Sequence, residues 1–160
     1  MKIASASLIL ALATLPAHAS SCSWSAAMEE DEGGSVMTAS VCGGAKADAH
    51  LMLTCFAKPV LSYDLGPSSP QLDPGISADF TFKADGKSET RTLQLEAMYN
   101  YFTTELPDAK DPLLALLRGK GEVTVSADKY GEAAFPLKGS GPAIGKVLAQ
   151  CGKGSGGDAD

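Results

Sequence analysis

Four cysteines constrain this chain more than any other feature in it. Cys22, Cys42, Cys55 and Cys151 all lie beyond an apolar leader. An even count of cysteines in a small exported protein reads as a disulfide framework, with no thiol left over for chemistry. The leader carries a cation at Lys2, an apolar run over residues 3–15 that is too short to cross a bilayer, a break at Pro16 and the small-x-small box Ala17-His18-Ala19. That is the pattern of a secretory signal peptide, expected to be cut after Ala19. Cleavage would remove the first 19 of 160 residues, leave 141 and, with Lys2 gone, move the net charge from −6 to −7. A lipid-modified Cys22 would need a Leu-containing lipobox, which Ala19-Ser20-Ser21 does not provide.

Three pairings of the four cysteines are arithmetically available, and side-chain direction selects one. Leu51, Leu53 and Cys55 alternate on one face of a strand, while Ile144, Val147, Leu148 and Cys151 fall on one stripe of a helix. Both cysteines therefore point into the core. The expected bridges are Cys55 with Cys151 and, by elimination, Cys22 with Cys42.

Apolar residues make up 44% of the chain and charged residues 20%, a balance that fills one core and lies far from the polar signature of disorder. Lys and Arg total 13 against 19 Asp and Glu. A field of that sign repels phosphate backbones and steers cationic molecules inward. Nucleic acid is excluded as a ligand; a protein partner, cationic in character, is expected, and no transmembrane segment is expected in the mature chain.

Turn residues divide the rest. The acidic run Glu29-Glu30-Asp31-Glu32 with Gly33-Gly34 reads as a turn after a strand bearing Trp24, and residues 36–41 alternate with Met37, Ala39 and Val41 on one face. Leu61, Tyr63 and Leu65 alternate again, before a loop over residues 66–75 that holds Pro67, Pro70 and Pro74. Residues 76–95 form a hairpin about Asp85-Gly86, with Ala78 opposite Leu93, Phe80 opposite Arg91 and Phe82 opposite Glu89, so its tip is expected to be half exposed. A second hairpin turns at Asp128-Lys129-Tyr130-Gly131, in a register that sets Val125 opposite Phe135 and Val123 opposite Leu137. Asp111-Pro112 opens a short helix with Leu113, Leu116 and Leu117 inward and Gly119 as its stop. A second helix starts near Ser140 and Pro142 and ends at Cys151-Gly152. Residues 152–160 are glycine-rich and acidic, and are expected to be a disordered tail. The sum is one α+β domain over residues 20–151, mainly antiparallel β, sandwich-like, with seven or eight strands and two short helices.

Chemistry-bearing residues are few. His50 sits on the strand face opposite Leu51 and Leu53, and beyond the leader no second histidine stands ready to complete a metal site or a Cys-His pair. Gly139-Ser140-Gly141 is neither a nucleophile elbow nor a phosphate loop, and Ser140 acting as a helix cap explains it. Glu29 to Glu32 lacks the spacing of a calcium loop and reads as a solvated charge run. Tyr99 and Tyr101 share a strand face opposite Met98 and Phe102, so with Trp24 they form a candidate contact patch. No catalytic, cofactor-binding or metal-ligating residue is assigned.

The ending Phe135-Pro136-Leu137-Lys138-Gly139, followed by Ala143-Ile144, Val147-Leu148 and Cys151, resembles the invasion-associated locus B family of exported proteobacterial proteins. Leu51-x-Leu53-x-Cys55 upstream of a terminal helix cysteine is similar to the type VI secretion-associated periplasmic family, and Trp24 near the mature start fits both. The Cys22 and Cys42 pair and the proline loop depart from them. The resemblance implies a periplasmic or secreted, non-enzymatic accessory protein of the cell envelope and supplies no catalytic residue. Lysozyme-inhibitor families are similar in size and compartment, but their Ser-Gly-x-x-Tyr loop is matched here as Ser140-Gly141-Pro142-Ala143-Ile144, without the tyrosine. An inhibitor of a cationic envelope hydrolase such as lysozyme is thus the second expectation, and a glycoside hydrolase working with carboxylates alone is the third.

Overall fold

In the computed structural model, residues 22–31, 34–67, 72–73, 75–96 and 101–153 are described. The expected leader, its cleavage box and residues 154–160 of the expected tail lie outside them, as does Tyr99. The fold is mainly antiparallel β with two short helices, as the sequence predicts, but the described residues hold nine strands, and these belong to one sheet.

Strands β1 (Ser25–Asp31), β2 (Gly34–Gly43), β3 (Ala49–Cys55) and β4 (Pro59–Asp64) form a meander in which each pairs with the next. The chain then leaves this edge, makes the hairpin of β5 (Ser77–Ala84) and β6 (Lys87–Glu96), and returns as β7 (Tyr101–Glu105) between β4 and β6. After α1 (Pro112–Leu117), β8 (Glu122–Ala127) adds to β5, and β9 (Gly131–Pro136) adds to β8. Helix α2 (Ser140–Leu148) follows and packs against β1, β2 and β3. The strand order is β1-β2-β3-β4-β7-β6-β5-β8-β9.

The sheet curls until its last strand meets its beginning. The Gly44 N–H donates to the Ala134 carbonyl at 3.0 Å, and the Trp24 N–H to the Lys138 carbonyl at 2.9 Å. A Cβ on Gly43 would collide with the Phe135 ring and the Ala134 carbonyl oxygen, so only glycine lets β2 and β9 approach this closely. Inside the curl, β3 alternates buried Leu51, Leu53 and Cys55 with half-buried His50, Met52 and Thr54. Aromatic rings fill the centre: Phe80 lies 4.9 Å from Phe102 and 5.3 Å from Tyr63, and Tyr63 meets Phe135 edge-on at 5.8 Å. Offset and edge-on contacts of this kind are the favoured aromatic geometries.

Both disulfides form as expected, Cys22 with Cys42 and Cys55 with Cys151. Asp85 and Gly86 both take positive φ, the signature of the two-residue turn, and the first hairpin has the predicted register. Asp111 caps α1 by accepting the Leu113 N–H at 2.8 Å, and Pro112 opens the helix.

Four expectations are corrected. Glu29, Glu30 and Asp31 are not a turn but the end of β1, paired with Val36, Ser35 and Gly34; β1 heads the strand order, and charge is tolerated, even useful, on such an edge. The tip of the first hairpin is not half exposed in its aromatics: Phe80 and Phe82 are fully buried, because β5 lies between β6 and β8 on the inside of the curl. The second hairpin is displaced by two residues, with Val125 opposite Ala133 and Val123 opposite Phe135. There, Ala127 pairs with Gly131, which takes the left-handed position at φ 75°, and a two-residue shift preserves which face is inward. Ser140 does not cap α2: the N-cap is Gly139 at φ 83°, and the Ser140 side chain makes no capping bond.

Candidate functional site

The strand face turned away from the core holds a concavity. Across β3, β4 and β7, Met52, Ser62 and Thr103 lie in one row and Thr54, Val60 and Glu105 in the next. Strict alternation puts these residues outward because their neighbours Leu51, Leu53, Leu61, Tyr63 and Phe102 point into the core. Outward strand residues ordinarily meet solvent, yet Thr38 is 4% exposed and Ser62 8%. They form part of a groove of about 530 Å³, whose remaining walls include Val36, Met52, Val60 and Tyr101 and whose carboxylates are Glu29, Glu30 and Glu96. Glu30 accepts a hydrogen bond from the Ser35 hydroxyl at 2.6 Å.

Phe56 also lines the groove. It is 52% exposed and, with Val36, also lines a neighbouring cleft of about 490 Å³ beside Met28, Met37 and Cys55. Met28 is 55% exposed. The Phe56 carbonyl accepts the Gly152 N–H at 2.7 Å, so the turn bearing this ring is fastened to the end of α2 next to the Cys55–Cys151 bridge. Large apolar side chains standing in water on a rigid support are the anchors from which protein interfaces are built.

The predicted contact patch is divided by the structure. Tyr101 lines the groove, whereas Trp24 is 5% exposed and belongs to the core, which removes it from any surface. Trp24 packs where β9 gives way to α2, and a Cβ on Gly139 would strike its carbonyl oxygen. His50 is half-buried on the outward face as expected, with Nδ1 3.8 Å from Asp64 Oδ2. Among the described residues no group of three or more His, Cys, Asp or Glu side chains is placed to hold a metal ion, and no helix is long and apolar enough to cross a membrane. Tyr63 lies on the core side beneath these outward residues; burial, and secondarily Asp64 and Asp48, push its hydroxyl up from 10.0 to about 12.

Compared with protein-family models, with curated proteins and with solved structures, the chain matches none of them.

The groove itself was not foreseen. Val36 and Thr38 come from β2, Met52 and Phe56 from in or beside β3, Val60 and Ser62 from β4, Glu96 from β6 and Tyr101 from β7. Only the return of β7 between β4 and β6 brings them together. The local signal available in the sequence was modest: polar and apolar residues mixed on the non-core face of β3 and β4, where a solvated face would be more uniformly charged.

Proposed function

We propose that this is an exported, non-enzymatic binding protein of the bacterial cell envelope, and that the outer-face groove takes a basic, amphipathic segment of a protein partner. The observation that carries this reading is the composition of the groove: apolar walls at Val36, Met52, Val60 and Tyr101, the exposed ring of Phe56, and carboxylates at Glu29, Glu30 and Glu96. An apolar patch supplies affinity, and fixed charge of one sign supplies orientation and on-rate for a partner of the other. The apolar leader and the two bridges support an oxidising compartment.

A narrower reading, inhibition of a cationic hydrolase such as lysozyme, is favoured by the same three carboxylates together with the net charge of −6.

The test uses two defined probes, a Lys/Leu amphipathic peptide and lysozyme, titrated into the oxidised protein at low and moderate salt. Specific, saturable binding that weakens as salt rises and is lost in Phe56→Asp and Glu30→Lys supports the groove. If lysozyme activity falls as well, the narrower reading gains. Binding that strengthens with salt, or that ignores both substitutions, rejects the groove. Sugar release from peptidoglycan that disappears on Glu96→Gln would instead make the protein a carboxylate hydrolase.

A further inference from the structure

Strand β1 stands at one end of the strand order and pairs with β2 alone. At the other end, β9 is drawn against the end of β2 by the bond from the Gly44 N–H to the Ala134 carbonyl, so the curl of the sheet uses that edge. On β1 the same closure stops at Trp24, whose N–H donates to the Lys138 carbonyl at 2.9 Å on the side away from β2. Backbone groups alternate along a strand between its two edges. The N–H and C=O groups of Ala26, Met28 and Glu30 therefore face the same side as those of Trp24, while those of Ser25, Ala27 and Glu29 face β2. Ala26 is half-buried where α2 packs, but Ala27 to Glu30 are exposed, and among the described residues no other segment pairs with this stretch.

An open edge is ordinarily guarded against pairing, often by charge. Glu29 and Glu30 are charges of that kind, and among the described residues neither has an ion-pair partner. Met28, directly before them, does the opposite. It and Phe56 are the two large apolar side chains that stand exposed among the described residues, and both line the same cleft with Met37, the residue opposite Met28 in the ladder. A guarded edge has no use for an exposed methionine beside an exposed phenylalanine, whereas a docking edge needs such anchors. Glu29 and Glu30 line the adjoining groove, and Val36 and Phe56 line groove and cleft alike, so edge, cleft and groove make one continuous surface. Lys153 is the single cation lining either hollow.

We infer that the basic segment proposed for the groove docks as an added β-strand, its backbone bonded to Met28 and Glu30 along the open edge of β1. The inference rests on the reading of the groove and adds the conformation and sequence period of what fills it. Successive side chains of an added strand point to opposite faces. Those on the face of Met28 lie toward the cleft that Phe56 lines and are apolar; those on the other face stand beside Glu29 and are basic, and Glu30 supplies a second carboxylate further along the edge. The partner's basic and apolar residues thus alternate with a period of two, not the 3.6 of a helix. A second copy of this chain is a poor occupant, because it brings Glu29, Glu30 and a net charge of −6 to an edge that already carries them.

The test titrates the oxidised protein with a short peptide of alternating Lys and Leu and with two counterparts, N-methylated on the lysine amides or on the leucine amides. One of the two methylated peptides presents a blocked edge to β1 and should bind about tenfold more weakly or worse. Bound peptide should slow amide hydrogen exchange at Met28 and Glu30 and change it little at Ala27 and Glu29, which already face β2. Met28→Pro removes an N–H that the β1–β2 ladder does not use, so the melting temperature should hold while affinity falls about tenfold or more, and Met28→Ala should lose less. Should Met28→Pro unfold, the methylated peptides and the exchange rates decide. Saturable binding that is lost in Phe56→Asp yet spares both methylated peptides and leaves exchange at Met28 and Glu30 unchanged keeps the groove and overturns the added strand. No saturable binding of any of the three peptides overturns both, and a dimer dispersed by Met28→Pro in a protein that binds none of them would make the edge an interface between copies.

Discussion

Arg91 Nη2 on β6 donates to Asp111 Oδ1 at 2.9 Å, and that same oxygen accepts the Leu113 N–H at 2.8 Å. One buried carboxylate oxygen therefore starts α1 and ties it to the hairpin beneath. A further bond from Arg91 Nη1 to Glu89 Oε2, at 3.0 Å, fixes the guanidinium from the other side. Although burial works against the charge on Arg91, its hydrogen bonds to Asp111 and Glu89 outweigh that and raise its pKa above the ordinary arginine value. The charge is thus a permanent part of the fold.

Asp111→Ala removes the cap and the ion pair together. A lost cap costs about 1 kcal/mol and a hydrogen bond to a charged group about 1.5–3 kcal/mol, so a loss of about 2–4 kcal/mol is expected in urea unfolding. Asp111→Asn keeps the cap oxygen and should lose less than half of that. Equal losses in the two variants would mean that the charge of Asp111 does not matter.

Tyr63 makes the fold sensitive to alkali. Its folded pKa, raised from 10.0 to about 12 by burial and by Asp64 and Asp48, means that the folded state prefers the protonated phenol. The associated stability is fully present below pH 10 and is lost as pH climbs through about 12. Each pKa unit corresponds to about 1.4 kcal/mol, so the wild type should lose of order 2 kcal/mol across that window. In Tyr63→Phe this part of the slope should vanish, and parallel pH profiles for the two proteins would count against it.

The two bridges should differ in worth. Cys55–Cys151 spans 96 residues and Cys22–Cys42 spans 20. In the chain-entropy model the longer loop contributes about 4.7 kcal/mol and the shorter about 3.3 kcal/mol. The double variants Cys55→Ala/Cys151→Ala and Cys22→Ala/Cys42→Ala, compared by urea midpoint, should rank in that order.

Two glycines should respond to alanine with opposite signs. At Gly43 the added methyl meets Phe135 and Ala134 where β2 and β9 touch, and overpacking should cost about 1–3 kcal/mol or more. At Gly145, within α2, no atom lies within reach of the new methyl. Gly145→Ala should raise stability by about 0.5–1 kcal/mol through helix propensity alone. Thermal melts of both variants decide the matter.

What the sequence disclosed was local or directional. The Asp85-Gly86 turn, the Asp111-Pro112 helix start and the inward aim of Cys55 and Cys151 each depend on residues within one element, and all appear as expected. Some departures, such as the β8–β9 register and the α2 cap, were local, whereas others came where a distant segment decided the outcome. Phe80 and Phe82 face Arg91 and Glu89 in register, which suggested exposure, but β8 joins β5 from sequence forty residues on and closes over them. Trp24, expected on a contact patch, lies in the core instead, where its backbone N–H donates to the Lys138 carbonyl just past β9. Ser140 looked like a cap on composition, and the left-handed turn at Gly139 displaced that role. The groove at Thr38, Ser62 and Tyr101 needs a strand order that no local pattern encodes.

Both bridges end on the same short piece of chain, the β2–β3 hairpin that contains Cys42 and Cys55. Tension applied at residues 22 and 151 would cross the first sulfur pair to Cys42, run along the hairpin to Cys55 and leave through the second pair. Residues 56–150, which hold α1, β4 to β9 and α2, would carry none of it. A protein hung between two attachment points would thus give way by only about a dozen residues of slack, with its remaining strands untouched until a sulfur–sulfur bond is reduced.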